Sequence, residues 1–460
     1  MHNLRPYSIN LIVGIFLMIE GILMLTEYLE LKNSNHRRHH NKLFIFLFTH
    51  AKEAGQPLAR TEIRNLLVIG IDTVFVAASA KRAGYNVYAV DYFDDIDLQH
   101  ACAAYKSIKK HKNTESRLEV KTNFDPRALL KVAKTLSKKH RIDAVLLSSG
   151  LDDYTKILCK LNEMVPILGN PPDIIRSIRE RKKFFNALEK LGVPHPETAV
   201  VENLFEAKEV AARMGYPVVV KPSKGFGGVG VRLASNPLEL KKGFQIAKID
   251  GDVVVQKLIR GIHASISILA GKRSIQVLSI NEQLLGLPSV YQKEPFGYCG
   301  NIVPLQVTNP IFEKCKLIAE KIALHFGLKG SNGIDIVISK DGTPYVIEVN
   351  PRFQGSLGCI EKVLELNLVN AHVKACLYDE LPARKPPPKF CTRLVLYAPN
   401  RVIAPDLTTL HGIWNIPPSH SIIEKGEPIC SVLIVGESRG TSLHKAESLA
   451  KIIYSKLQSA

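Results

Sequence analysis

The sequence is short of the features that would assign it quickly. Its eight cysteines are scattered, with no CxxC pair and no Cys/His cluster at zinc-ligand spacing. That excludes a disulfide frame and a structural zinc site, and it fits a reducing, cytosolic protein. No small-residue cleavage site accompanies the apolar stretch near the N-terminus, which excludes a removed signal peptide. The first strand-to-helix turn carries only Gly70, so the GxGxxG fingerprint of a dinucleotide site is missing there. No Ser/His/Asp or Cys/His arrangement points to a side-chain nucleophile.

What is present is an ordinary globular composition, 46% hydrophobic and 23% charged, over 460 residues. A chain of that length divides into two to four domains. The net charge is +18 and is unevenly placed: half of it falls between Ala101 and Arg141. Within that region ALLKVAKTLSKKH sets lysines between apolar pairs at helical spacing, with few aromatics among the charges. We read a solvated helix face that draws acidic substrates, and not a nucleic-acid surface. Residues 9–25, INLIVGIFLMIEGILML, are nearly long enough to span a bilayer but carry Glu20, and the basic HRRHH follows. Three readings stay open for residues 1–62: a single anchor, a helix packed on the body, or an extension from a wrongly assigned start. Membrane contact, if any, is confined to residues 9–25, and a complete-looking domain begins at about Arg64.

From there strands and helices alternate. NLLVIG, YNVYAVD and IDAVLLSSG are strands, and IDTVFVAASAKRAG is a helix between the first two, which predicts an open parallel sheet. Asp91 stands at a strand's carboxyl end, either lining a crevice or beginning the next loop. PILGNPPD (166–173) marks a boundary, followed by one basic helix from Ile174 to about Leu191.

VVVKPSKGFGGVGVR (218–232) places Gly225, Gly227, Gly228 and Gly230 within six residues. Each glycine in a hairpin costs roughly 0.5–1 kcal/mol relative to alanine, so this backbone either moves or approaches something closely. The lysine comes first and a strand follows, unlike GxxxxGK[ST] leading into a helix. We expect a hairpin flap that lays N–H groups over phosphates while Lys221 neutralises their charge.

About a hundred residues later, GIDIVISKDGTPYVIEVNPRFQGS (333–356) reads as a second hairpin. Alternation places Glu348 and Asn350 on one face, with Asp335 on the opposing strand. Two carboxylates and a carboxamide packed together suit a hard divalent cation such as Mg²⁺. Arg352, at the strand's exit, suits the charge developing on a transferring phosphoryl group.

VVVKPSKGFGGVGVR, QKLIRG and IEVNPR, in that order and spacing, resemble the ATP-grasp superfamily. The resemblance covers nearly everything from Arg64 onward. It implies an α/β and α+β multidomain fold: a Rossmann-like pre-ATP-grasp domain (63–170), an ATP-grasp domain (171–380) with a lid at about 196–260 and the metal hairpin at 333–352, and a small β-rich C-terminal domain (390–460). By position, Lys221 with Gly225, Gly227 and Gly228 resembles the lid over the nucleotide phosphates. Arg181 resembles a phosphate-reaching basic residue, and Gln256, Lys257 and Leu258 resemble the adenine-reading hinge. His263 resembles a nucleotide-contacting histidine. Asp335, Glu348 and Asn350 resemble ligands of two magnesium ions, replaceable by manganese, and Arg352 and Lys221 the catalytic groups.

The resemblance implies a ligase that activates a carboxylate as an acyl phosphate with Mg-ATP and couples it to an amine, as a cytoplasmic enzyme and a homodimer. A bicarbonate-activating carboxylase is the alternative. Arg352 and Gln354 match its pattern, but Ser356 stands where it has glutamate, and no Met-Lys-Met biotin acceptor is present. A non-catalytic ATP-binding regulator is the second alternative. The acceptor is expected to meet GLPSVYQKEPFGYCGNIVP (286–304), with Tyr298, Cys299 and Asn301 as contact candidates.

Overall fold

The computed structural model describes residues 63–108, 124–248, 251–383 and 387–460. The readings of residues 1–62, including the apolar segment 9–25, lie outside the described residues. Among those described, no helix is long and apolar enough to cross a membrane.

The uninterrupted apolar run Asn65–Ile69 becomes an inner strand because both of its faces are covered. It lies in a four-stranded parallel sheet ordered Ala104–Ser107, Asn86–Asp91, Asn65–Ile69, Ala144–Leu147. Leu66 and Val68 join a core with the helix Val74–Arg82, while Leu67 and Ile69 join another with Pro126–Lys139 and Thr155–Met164. On Pro126–Lys139 the leucines are buried while Lys131, Lys134, Lys138 and Lys139 are exposed, a solvated basic face. The edge strand Ala104–Ser107 was not expected, since AYKS is short and carries no apolar alternation. Asp91 does not line a crevice. It is wholly buried and accepts from Thr73 N (2.9 Å) and Thr73 Oγ1 (2.7 Å), holding the turn into the first helix. Burial and the neighbouring Asp95 push its carboxyl well up.

The basic helix expected from Ile174 to Leu191 is two helices, Pro172–Arg179 and Arg181–Lys190, broken at Glu180 with ψ 90°. Residues two apart on a continuous helix face different directions. The break allows Arg179 and Arg181 to point into one place.

The flap belongs to a small antiparallel sheet ordered Thr198–Val201, Val253–Lys257, Val218–Pro222, Arg232–Ala234. Two helices, Leu204–Met214 and Pro237–Ala247, cover it, and each starts with a reciprocal cap. Asn203 accepts from Glu206 N while Glu206 accepts from Glu202 N; Asn236 and Glu239 repeat the pattern, with Ser235 N as the second donor.

The remaining strands form one eight-stranded sheet ordered Pro344–Asn350, Gly330–Ser339, Gly261–Ala270, Ile275–Leu285, Tyr298–Val303, Phe390–Tyr397, Pro428–Gly436, Ile413–Trp414. The C-terminal strands therefore continue the sheet that carries the acidic hairpin. Helices Arg181–Lys190 and Asn309–Phe326 close one face of it over Phe184, which is wholly buried. Phe184→Ala is expected to lower stability by about 3–5 kcal/mol through transfer and cavity terms, seen as a lower denaturant midpoint at unchanged slope.

Candidate active site

The acidic hairpin sets the site's position. Its register places Asp335 directly opposite Glu348, and Gly333 opposite Asn350, with a bulge at the Asp335/Ile336 step. Asn350 Nδ2 donates to Asp335 Oδ2 (3.0 Å) and Gln283 Nε2 donates to Asp335 Oδ1 (2.9 Å). Burial, and then the charge of Glu348, raise the Asp335 carboxyl to about 7, against these hydrogen bonds. Glu348 goes the other way. Burial raises it, but Arg179, Arg181, Lys221 and Arg352 outweigh burial and hold it at about 2. Arg181 Nη2 lies 3.4 Å and Arg179 Nη1 3.8 Å from Glu348 Oε2.

Arg352 is fixed on three sides. Its Nε donates to Asp152 Oδ2 (2.7 Å), Nη1 to Phe353 O (2.9 Å) and Nη2 to Asn350 Oδ1 (3.2 Å). Lys221 Nζ donates to Gln256 Oε1 (2.9 Å), and Gln256 Nε2 in turn donates to Thr198 Oγ1 (2.8 Å). Burial, with Arg181 nearby, lowers the Lys221 ammonium to about 8. Lys257 Nζ donates to Gly215 O (2.9 Å) and to Met214 O, so its side chain ties down a helix end. Leu258 follows the last residue of that strand and lines the same cavity. His263 also lines it, with its ring edge-on to Phe296 and its pKa lowered by burial.

The flap lies closed over these groups. Gly227 and Gly228 have φ of 62° and 76°, values that side-chain-bearing residues rarely adopt. Gly227 O accepts from Tyr298 N (3.1 Å), Gly225 N donates to Asp153 Oδ2 (3.0 Å), and the Phe226 ring meets Phe124 edge-on at 5.8 Å. A Cβ on Gly228 would stand 1.9 Å from Phe296 O. The glycines thus serve a close approach as well as backbone freedom.

A cavity of about 430 Å³ runs under the flap. Each residue assigned from the nucleotide and metal motifs lines it: Arg181, Lys221, glycines 225, 227 and 228, Gln256–Leu258, His263, Asp335, Glu348, Asn350 and Arg352. Beyond the acidic hairpin the cavity continues to Tyr298, Asn301, Ser356 and Arg393. Cys299 does not line it. It is wholly buried, its Sγ accepts from Leu287 N (3.2 Å), and burial pushes its thiol up. Arg393 was missed from sequence. It is 3% exposed, pairs with Asp72 (3.0 Å) and lies over the Phe75 ring. Arg179, Gln283, Asp152 and Asp153 were missed too. The two aspartates follow a parallel strand's carboxyl end, where open α/β sheets place ligand-facing groups, and that was the available signal.

No cluster of three or more His, Cys, Asp or Glu side chains poised for a metal occurs among the described residues. The hairpin instead offers two carboxylates and a carboxamide, with Asn350 Oδ1 engaged by Arg352. That donor set fits a hard cation that takes its remaining oxygens from water and substrate.

Residues 178–356 match the ATP-grasp domain family. That stretch takes in the flap, its neighbouring strand Val253–Lys257 and the acidic hairpin. An uncharacterized protein of Methanocaldococcus jannaschii is 28% identical over 400 residues, covering 85% of this chain and 92% of that one. The carbamoyl phosphate synthase large chain of Helicobacter pylori is 23% identical over 60% of this chain, which spans about a quarter (26%) of that protein's length. Among solved structures, the biotin carboxylase domain of Hydrogenobacter thermophilus 2-oxoglutarate carboxylase, crystallised as a dimer with MgADP, ADP and bicarbonate, shares the fold. Its TM-score is 0.66 at 16% identity, covering 87% of this chain and 91% of that one.

Gly228→Ala is expected to lift the lid from Phe296 and loosen the backbone around the already exposed Lys224, making the bond after it easier for trypsin to cut. Cleavage after Lys224 faster than in the unsubstituted chain checks it, and an equal rate would show the contact to be dispensable.

Proposed function

We propose that the protein is an ATP-dependent ligase that activates a carboxylate as an acyl phosphate and couples it to an amine, releasing ADP and phosphate. The observation that carries this reading is one continuous cavity under the flap. One end holds Lys221, Arg181 and Arg352 around the Asp335–Glu348 hairpin, and the other has room for a second reactant beside Tyr298 and Arg393. The relationship to a carbamoyl phosphate synthase supports it.

In this reading the lid backbone and Lys221 hold the ATP phosphates, with Arg181 beside them. Gln256, Lys257 and Leu258 offer main chain to the base, and His263 closes the nucleotide's other side. Asp335, Glu348 and Asn350 hold one or two magnesium ions, with manganese as a substitute. Magnesium, when bound, screens the phosphates and draws charge from the oxygen bridging the β- and γ-phosphorus atoms. Arg352, held by Asp152, faces the negative charge gathering on the γ-phosphoryl oxygens. That group passes to a carboxylate oxygen, leaving ADP. The amine then attacks the carbonyl carbon and loses a proton, and phosphate departs with its bonding pair. The closed lid keeps water from the acyl phosphate.

A division into a leading domain (63–170), an ATP-grasp body (171–380) and a C-terminal part (390–460) fits these roles. We also propose a cytoplasmic homodimer, in keeping with the eight free thiols among the described residues and the dimeric structural neighbour. Bicarbonate activation is the second reading, favoured by Arg352 and Gln354 together on the cavity wall. Ser356 in place of an acidic base counts against it.

The deciding experiment is release of ADP and phosphate from Mg-ATP with hydroxylamine and pools of carboxylic and amino acids. A hydroxamate forming with one pool is the expected result. Phosphate released only with bicarbonate would select the carboxylase, and tight ATP binding without turnover would favour a regulator. Glu348→Ala should abolish turnover in a chain whose circular dichroism is unchanged; full activity in that variant would sink the metal assignment.

Protonation of Lys221 gives a further check. Its folded pKa, about 8, lies below the ordinary lysine value, so the free protein loses this charge as pH rises through 8. Bound phosphates favour the charged form again. In EDTA at pH 8.5, ATP binding should therefore take up a fraction of a proton, up to about one. Calorimetry in buffers of different ionisation enthalpy measures this, and Lys221→Met should remove it.

A further inference from the structure

Two consecutive carboxylates stand beside the site without lining its cavity. Asp152 and Asp153 follow the strand Ala144–Leu147, with side chains 7% and 8% exposed. Burying carboxylates is costly unless each is paired and hydrogen-bonded, and each of these is matched to groups that reach the cavity or its lid. Asp152 Oδ2 accepts from Arg352 Nε at 2.7 Å. Asp153 Oδ1 accepts from Arg179 Nε (2.6 Å), while its Oδ2 accepts from both Arg179 Nη2 (2.9 Å) and the lid's Gly225 N (3.0 Å).

We infer that Asp152 and Asp153 are positioning residues: Asp152 fixes the orientation of Arg352 at the acidic hairpin, and Asp153 ties the closed lid to Arg179. The two tasks follow from the geometry. Arg352 has one fork edge on Asp152 and the other on Asn350 and Phe353, so losing the charge at 152 frees the guanidinium to swing toward Glu348 or Asp335. Asp153 uses both oxygens on the Arg179 fork, and the lid amide shares one of them. An asparagine there has a single uncharged acceptor oxygen, so the lid amide either loses its partner or keeps one without charge assistance. The leading parallel sheet in this way sets the arginine and registers whether the lid is shut. The first task rests on the ligase reading; the second does not.

The experiment uses the full-length chain, its Asp152→Asn and Asp153→Asn variants, and thermal melts of each. Amide hydrogen exchange of residues 223–231 is followed without nucleotide, so this arm stands whatever the protein's activity is. A lost charge-assisted hydrogen bond corresponds to about tenfold or more in local opening, so Asp153→Asn should exchange at least that much faster in the lid while Asp152→Asn matches the parent. Unchanged lid exchange in Asp153→Asn, or acceleration spread evenly over the chain with a lowered melting temperature, overturns the latch. In ATP turnover, Asp152→Asn should lower kcat by about tenfold or more with KM for ATP within about threefold, the signature of a group acting in the transition state. Unchanged kcat, or a rise in KM alone, overturns that role. A parent chain that consumes no ATP with any acid would remove the ligase reading, while lid exchange still decides the latch.

Discussion

Everything in the site answers to one electrostatic constraint: a single carboxylate, Glu348, surrounded by Arg179, Arg181, Lys221 and Arg352. Four cations in a part-buried space repel one another, and Lys221 shows it in a lowered pKa. The protein offsets this locally with Asp152, Asp153 and Asp335, each hydrogen-bonded to a neighbour. What remains is a nearly balanced cluster of charges around a hard-oxygen corner, which favours polyphosphate together with a divalent cation over either alone.

That concentration of charge explains features that look unrelated along the chain. The break at Glu180 brings two nearby arginines to the same carboxylate. The antiparallel register of Gly330–Ser339 with Pro344–Asn350 brings two acids face to face. The small sheet supplies Lys221 from its own core strand, with Gln256 on the neighbouring strand holding the ammonium in place. Three sheets meet at one point, and none of them contains the whole site.

Much of this was readable in advance where local pattern and chemistry coincide. The run NLLVI could only be a strand covered on both faces. IDIVIS-KDG-PYVIEV carries strand alternation around a turn, and the four glycines announce a backbone with unusual freedom. Each binding residue read from these patterns lines the cavity. The residues that sequence reading missed act through long-range pairing. Asp152 meets Arg352 across two hundred positions, and Arg393 meets Asp72 across more than three hundred; no spacing rule encodes such partners. Arg179 was hidden because helical propensity continues smoothly through IRSIRERKKFF, while tertiary packing imposes the break. Cys299 misled because the strand is irregular there: Leu284 pairs with Gly300 and Leu285 with Tyr298, so Cys299 is skipped in the register and its side chain joins the apolar core.

Under the ligase reading, the contact between Gly228 and the carbonyl of Phe296 bears on how such a protein could change its acceptor. The segment 286–304 would be expected to diversify freely if it did nothing except recognise a second substrate. Here the same segment is the floor on which the lid rests, through a main-chain oxygen at Phe296 and the amide of Tyr298. Side chains on this loop can therefore be exchanged while its backbone path cannot. Lineages of this fold would be expected to explore new acceptors by substitution within a loop of fixed length, leaving insertions to the far side of the cavity.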